Sequence, residues 1–429
     1  MSAICKKTTV LLILIFLLFF SGASLSGQAN LRGNDPLIVK VAVIGPGDEL
    51  YFWWGHIGLV IENTRTGQSN FYDWGIFSFE RENFFYNFAF GRLIYTCGAV
   101  PLEWNIGNYL DTNRDITLYT LDLPREKKEK ILRYAEWSIQ PENKDYYYHH
   151  FRDNCATRIR DIVDMALDGE FKEQYASMPG RFTLRQQVRR HTWFNPFFDW
   201  SLNFLMGQGI DTPITVWDDM FLPSEIGNRI NEFAYTAAPG GKKTRLVSSV
   251  ETLNTAVGRP QVLEFPRRQW PVELLASAVF SLAAGLAFLI CGKRKGFRVF
   301  IGTVQSLLGL FFGIAGSILF FMTFFTDHDY TYYNSNILFV NPLFLAAVPL
   351  GLIFAFTGSE KKRFVSARIL LILWVYTFMG GLLTMAIKLF PVFYQQNQVT
   401  QALVLPLAFT MILIMTASGY IRARQTPRQ

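Results

Sequence analysis

Residues 153–167 read DNCATRIRDIVDMAL. Ile159, Ile162, Val163, Ala166 and Leu167 recur at the i, i+3, i+4, i+7, i+8 spacing that buries one face of a helix. Asp153 stands where an N-cap would stand, which puts Cys155 in the first turn. A thiol at that place sees the positive end of the helix dipole and N–H groups without intrahelical partners. Both favour thiolate, the reactive form. The same N–H groups can hold an oxyanion once an acyl group arrives. The competing reading is a buried structural cysteine, or a disulfide to Cys97.

Upstream of this helix the pattern is β. LIVKVAVI (37–44) is a β-type run, GPGD (45–48) breaks it, and HIGLVIE (56–62) and SNFYDW (69–74) follow across an Asn63–Gly67 turn. Residues 92–100 and 115–122 read as further strands, and Pro124 opens a helix to about Gln140. The layout is α+β. Residues 236–268 carry Pro-Gly-Gly and scattered charges and read as a tether, which places a linker over 236–271.

A nucleophilic cysteine needs a base, usually His. The globular part offers His56, His149, His150 and His191. His56 begins a strand after YFWWG, and a strand edge is a rigid platform for a base. His149 and His150 precede Cys155 by a few residues and read equally as loop surface. Asp73, on the next strand, is the candidate to orient the imidazole, with Glu62 as a second. No CxxC, HExxH or HxH spacing occurs, and GPGDE has no helix pattern behind it. No metal and no cofactor are therefore expected.

The rest of the 429 residues is apolar in a patterned way, with 40 Phe in the chain. Lys6 and Lys7 precede an apolar run from Val10 to Phe20 and then SGASLSGQA, the layout of a secretory signal over 1–29. Cleavage after Ala23 or Ala29, or retention as an N-terminal anchor, both fit. Five later segments are long enough to span a bilayer: 272–291, 299–325, 338–357, 369–388 and 402–421. Lys293, Arg294, Lys295 and Arg298 follow the first, Lys361, Lys362, Arg363 and Arg368 the third, and Arg422, Arg424 and Arg428 the fifth. The loops 326–337 and 389–401 have no Lys or Arg. The positive-inside rule then puts residues 30–271 outside and the tail 422–429 in the cytoplasm. The net charge of +7 sits largely beside these spans. It forms no basic stripe with interleaved aromatics, so no nucleic-acid partner is expected.

GH (55–56), FYDWGIFSFE (71–80), NFFYNFAFGRLIY (83–95), DNCATRIRD (153–161) and VWDDMFLPSEI (216–226) resemble the periplasmic domain of the Lnb-type lipoprotein N-acyltransferases. FFTDHDYTYYNSNILFVNPL (324–343) resembles that family's membrane domain. The resemblance implies a permuted papain-like (NlpC-like) thiol domain over 30–235, then a five-helix membrane domain over 272–421. It implies catalytic roles for Cys155 and His56 and places His328 near the site. The implied reaction moves an acyl chain from a phospholipid or diacylglyceryl group to the N-terminal amine of bacterial lipoproteins, at the outer face of the inner membrane. Asn154, Arg158 and Asp327 are the candidate substrate contacts. Arg158 could hold a lipid phosphate or pair with Asp153 or Asp161. A thiol hydrolase with the same Cys–His pair (a lipid esterase, thioesterase or cell-wall peptidase) and a non-enzymatic membrane scaffold remain as alternatives.

Overall fold

The computed structural model describes residues 35–237 and 240–423. The expected export segment, Cys5 with it, and most of the 422–429 tail lie outside the described residues.

Strands β1 (Leu37–Ile44), β2 (His56–Asn63) and β3 (Gln68–Ile76) form an antiparallel meander. The β2–β3 turn is made by Asn63, whose Oδ1 accepts the N–H groups of Arg65 and Thr66, and by Gly67 at φ +75. There follow α1 (Phe84–Ala89), β4 (Ile94–Pro101), α2 (Leu102–Asp111), β5 (Ile116–Leu121), α3 (Arg125–Ser138), β6 (Asp145–Tyr147) and α4 (Cys155–Ala166). Short helices α5 (Glu170–Tyr175), α6 (Leu184–Thr192), α7 (Pro196–Leu205), α8 (Val216–Asp219) and α9 (Pro223–Glu232) lead to β7 (Ala234–Thr236), β8 (Lys243–Arg245) and β9 (Val247–Asn254).

Seven strands make one sheet in the order β6-β4-β3-β2-β1-β5-β9, every pair antiparallel. Alternation along the strands feeds two cores. Val39, Val41, Ile57, Leu59, Ile61 and Trp74 pack with Ala156, Ile159, Ile162 and Val163 of α4. The opposite positions Ala42, Ile44, Val60 and Phe71 pack with Leu102, Ile106 and Tyr109 of α2. Each such aliphatic side chain contributes roughly 1.5–3 kcal/mol by leaving water. Together they fix α4 against the strands, and α4 carries Cys155 at its first position.

The expected tether over 236–271 is corrected in part. Val247–Asn254 is a strand, β9, which extends the sheet beyond β5. Its residues are mostly exposed, as on an edge strand open on both faces, so no apolar alternation marks it. Residues 255–269 belong to no strand or helix.

The C-terminal part is helical. Five segments are long and apolar enough to cross a membrane: α10 (Trp270–Cys291), α11 (Lys295–Phe325), Ser335–Phe356, α13 (Glu360–Ile387) and α14 (Gln398–Ala423) over its first 21 residues. The third span starts in 3₁₀ turns and becomes regular only as α12 (Ala347–Phe356). Asn341–Pro342 breaks it, and the Asn341 backbone there lies so close to Gly316 that any Cβ on Gly316 would collide at 2.4 Å. The two loops without Lys or Arg are the ones that meet the sheet domain. Asn334 donates to the carbonyls of Phe204 and Leu205, and Gln395 to that of Met206. The charge pattern and the packing thus agree on which face of the spans carries the α+β domain.

Candidate active site

The helix that holds the thiol is capped one residue later than the sequence suggests. Asn154, not Asp153, is the N-cap, with extended backbone at φ −128. Its Oδ1 accepts the Thr157 N–H at 2.9 Å, and Thr157 Oγ1 accepts the Asn154 N–H at 2.8 Å, a closed capping box. The Asn154 amide also donates to the carbonyls of His150 and Phe221. Every polar atom of this side chain is engaged, which positions the first turn of α4. Cys155 follows as the first helical residue, 8 % exposed. The helix leaves its N–H and that of Ala156 without intrahelical partners.

Gly55 delivers the base. It sits at φ +81, and a Cβ there would lie 2.6 Å from the Ile44 carbonyl oxygen, so only glycine lets the chain enter β2 opposite Ile44. His56 follows at once. Its Nε2 lies 2.9 Å from Oδ1 of Asp73, the residue on β3 expected to orient it. With Nε2–H donating to the carboxylate, Nδ1 is left as the proton acceptor. Continuing the β2–β3 register by one step on that face from Gly58–Asp73 sets Gly75 opposite His56. A Cβ on Gly75 would lie 3.0 Å from His56 Cε1, 3.4 Å from Cys155 Cβ and 3.5 Å from Asp73 Oδ1. Cys155, His56 and Asp73 therefore converge on one backbone point from α4, β2 and β3.

The electrostatics favour a charged His56 paired with Asp73. Burial pushes the His56 pKa down, but the Asp73 carboxylate, aided by Tyr109 and Cys155, holds it well above its ordinary 6.5. Cys97, paired with Trp74 across β3–β4, is a free thiol, and burial pushes its pKa up to about 12. Cys155 is free as well, so the expected alternative of a Cys97–Cys155 disulfide is corrected. Tyr95 and Tyr148 stack at 4.0 Å beside the thiol, and burial first, then Cys155, raises both pKa values. Among the described residues no three His, Cys, Asp or Glu side chains gather as a metal site.

Other expected positions fall elsewhere. Arg158 grips Asp153 with two bonds of 2.5 and 2.7 Å and lies 4.3 Å over the Tyr146 ring. Of the two carboxylates expected as partners it meets Asp153, while Asp161 bonds Arg160. Glu62 pairs with Lys40. His191 is buried, which lowers its pKa to about 4, with Nδ1 on the Gln187 carbonyl. His149 donates through Nε2 to Asp329 at 2.9 Å, while its Nδ1 accepts the N–H groups of Phe151 and Arg152. His150 is buried beside it, with a pKa lowered to about 4 by burial, then His149 and His328.

His328 and Asp327 act as a clasp. His328 Nε2 lies 3.0 Å from the Phe88 carbonyl, and its Nδ1 accepts from the Tyr330 hydroxyl at 2.8 Å. Asp327 is exposed and pairs with Arg92, and its N–H bonds the Phe90 carbonyl. In this structure both dock the membrane loop onto residues 88–92. Gly75, Tyr95 and Tyr148 were missed by the sequence reading. The signal for Gly75 was its place two residues after Asp73, on the same face of β3.

This is a multi-pass membrane protein whose α+β domain brings Cys155, His56 and Asp73 together beside its spans. Residues 28–190 match the family model for the Lnb N-terminal periplasmic domain, and residues 271–426 that for the Lnb transmembrane domain. The chain belongs to the Lnb family. No curated protein and no solved structure matches it.

Proposed function

We propose that the chain is a lipoprotein N-acyltransferase of permuted papain-like type, working at the outer face of a bacterial inner membrane. The observation that carries this reading is the meeting of Cys155, His56 and Asp73 around Gly75. That site lies in a domain clasped to an outer loop of the spans.

His56 Nδ1 takes the thiol proton of Cys155, and the imidazolium is held by Asp73. The thiolate attacks the ester carbonyl of a phospholipid or diacylglyceryl group. The N–H groups of Cys155 and Ala156 face the developing oxyanion. The tetrahedral intermediate expels the lipid alkoxide, which takes the proton from His56, and leaves a thioester. The N-terminal amine of a lipoprotein then attacks that carbonyl. His56 accepts the amine proton and returns it to the departing thiolate. Donor and acceptor are both lipids at a bilayer surface, which suits a catalytic domain fastened to five spans.

The test is the purified chain in detergent with an acyl-labelled phospholipid and a diacylated lipopeptide. N-acylated lipopeptide is expected, with loss of about a thousandfold or more in Cys155→Ala and His56→Ala. Free fatty acid without N-acyl product points to the hydrolase alternative. N-acylation that survives Cys155→Ala sinks the thiol mechanism.

A further inference from the structure

Between the site and the membrane lies a run of rings that the reaction above does not use. Phe77 follows Gly75 by two residues, just beyond the end of β3. Its ring is 5.2 Å from Tyr95 on one side and 6.2 Å from Phe84 on the other, and Phe84 stacks on Phe88 at 6.1 Å. Tyr95 stacks on Tyr148 beside the thiol. Phe88 belongs to α1, a helix without a charged residue (FFYNFA). Phe85 is 70 % exposed there, and Tyr86 and Phe88 are exposed too. Such a surface is costly in water and marks an interaction site.

What covers it follows from where α1 is fixed. Phe90, one residue beyond α1, packs at 5.4 Å against Phe321 near the outer end of α11. The His328 and Asp327 bonds tie residues 88–92 to the loop directly after that span. Phe324 and Phe325, which end the span, are themselves exposed. The aromatic surface of α1 is thus continuous with the membrane-facing surface of α11, at the depth where amphipathic aromatic rings settle. Phe77 and Ile76 also border a cleft of about 350 Å³ whose other walls are polar, with Ser78, Arg81, Thr96, Lys144 and Asp145, within the usual range for small-molecule sites of roughly 300–1,000 Å³.

We infer that α1 lies in the outer leaflet and that Phe88, Phe84, Phe77 and Tyr95 form a track for one acyl chain of a leaflet lipid leading to Cys155. This deepens the acyl-transfer reading and rests on it for the chain's destination. It does not need the chemistry for the chain's presence. The four rings suit a hydrocarbon chain, whereas the cleft beside Phe77, with Arg81, Lys144 and Asp145, suits polar atoms.

The test uses full-length Cys155→Ala protein in nanodiscs of phosphatidylethanolamine and phosphatidylglycerol. A trace of phosphatidylcholine with a diazirine near one chain end is added. After irradiation and trypsin, adducts are expected on peptides 82–92 (α1) and 66–81 (Phe77). Labelling should be several-fold above the peptide with exposed Trp137, a ring whose neighbour is Tyr134. Adding Phe84→Ser and Phe88→Ser should remove the adduct from 66–81 while the span peptides stay labelled. Adducts confined to the spans overturn the track, as does labelling of 66–81 that persists in the triple variant. The protein here cannot turn over, so failure of the track and failure of the acyltransferase reading are separate results.

Discussion

The backbone of Gly91 runs against that of His328 so closely that a Cβ on Gly91 would stand 2.7 Å from the His328 amide nitrogen. Gly91 also sits at φ +77. The substitution Gly91→Ala therefore meets both a strained backbone and a collision between the two domains. Gly67→Ala is the matched control, because φ is +75 there and nothing lies within 4 Å of the added carbon. Gly67→Ala should cost about 1 kcal/mol, and Gly91→Ala a further ~1–3 kcal/mol from the clash. Thermal unfolding in one detergent reads the difference. Equal losses in the two variants would mean that the clasp at His328 is loose.

Asp73→Asn should move the pH dependence of the site. The His56 pKa is raised in the folded protein, so the stability from this pair is fully present below about 6.5 and is lost as pH rises through the folded value. Removing the carboxylate leaves burial in command, and burial favours neutral imidazole. The wild-type advantage in melting temperature should then be largest near pH 6 and shrink toward alkaline pH. In the same variant the alkaline limb of the pH profile for Cys155 alkylation should move toward acid. An alkaline limb that does not move would show that Asp73 does not hold the imidazolium.

The helix that carries Cys155 was legible because five apolar residues kept helical spacing, and the spans because twenty-residue apolar runs and their flanking charges leave few other readings. The cap was off by one for a physical reason. Asp153 and Asn154 are equally good acceptors, but only Asn carries an amide that can donate to the carbonyls of His150 and Phe221. One of those partners lies 67 residues away, and no local pattern reports it. β9 hid because an edge strand needs backbone partners more than an apolar face. His328 was expected near the active site, and in the structure it ties the membrane loop to Phe88. Its docking partners are a carbonyl and its own neighbour Tyr330, which a TDH motif cannot announce.

Asn154, which caps α4, and Arg158, one turn further on, should separate in their effects. Asn154→Ala removes the cap and leaves two carbonyl groups without their donor, at about 2–4 kcal/mol together. Asn154→Asp keeps the acceptor and loses only the donors, so it should recover part of that loss. Arg158→Ala breaks a partly exposed pair with Asp153 and should cost about 1 kcal/mol. It should leave the KM for phospholipid unaltered. A raised KM in Arg158→Ala would give this residue the lipid-phosphate role.

Gly75 offers the sharpest probe of the site. Its φ lies outside the left-handed region, so alanine is permitted by the backbone. The added carbon would lie 3.0 Å from His56 Cε1, tighter than van der Waals contact allows, and 3.4 Å from Cys155 Cβ, which is ordinary contact. The imidazole is pinned along one edge by Asp73, so it can only tilt about that bond. A tilt of a few tenths of an ångström at the reacting nitrogen costs rate far more than stability. Gly75→Ala should lower kcat by about 10–100-fold while changing stability by less than about 1 kcal/mol. Single-turnover thioester formation on Cys155, read by intact-mass measurement beside a thermal melt, gives both quantities. A normal rate in Gly75→Ala would mean that His56 does not approach Cys155 across this glycine.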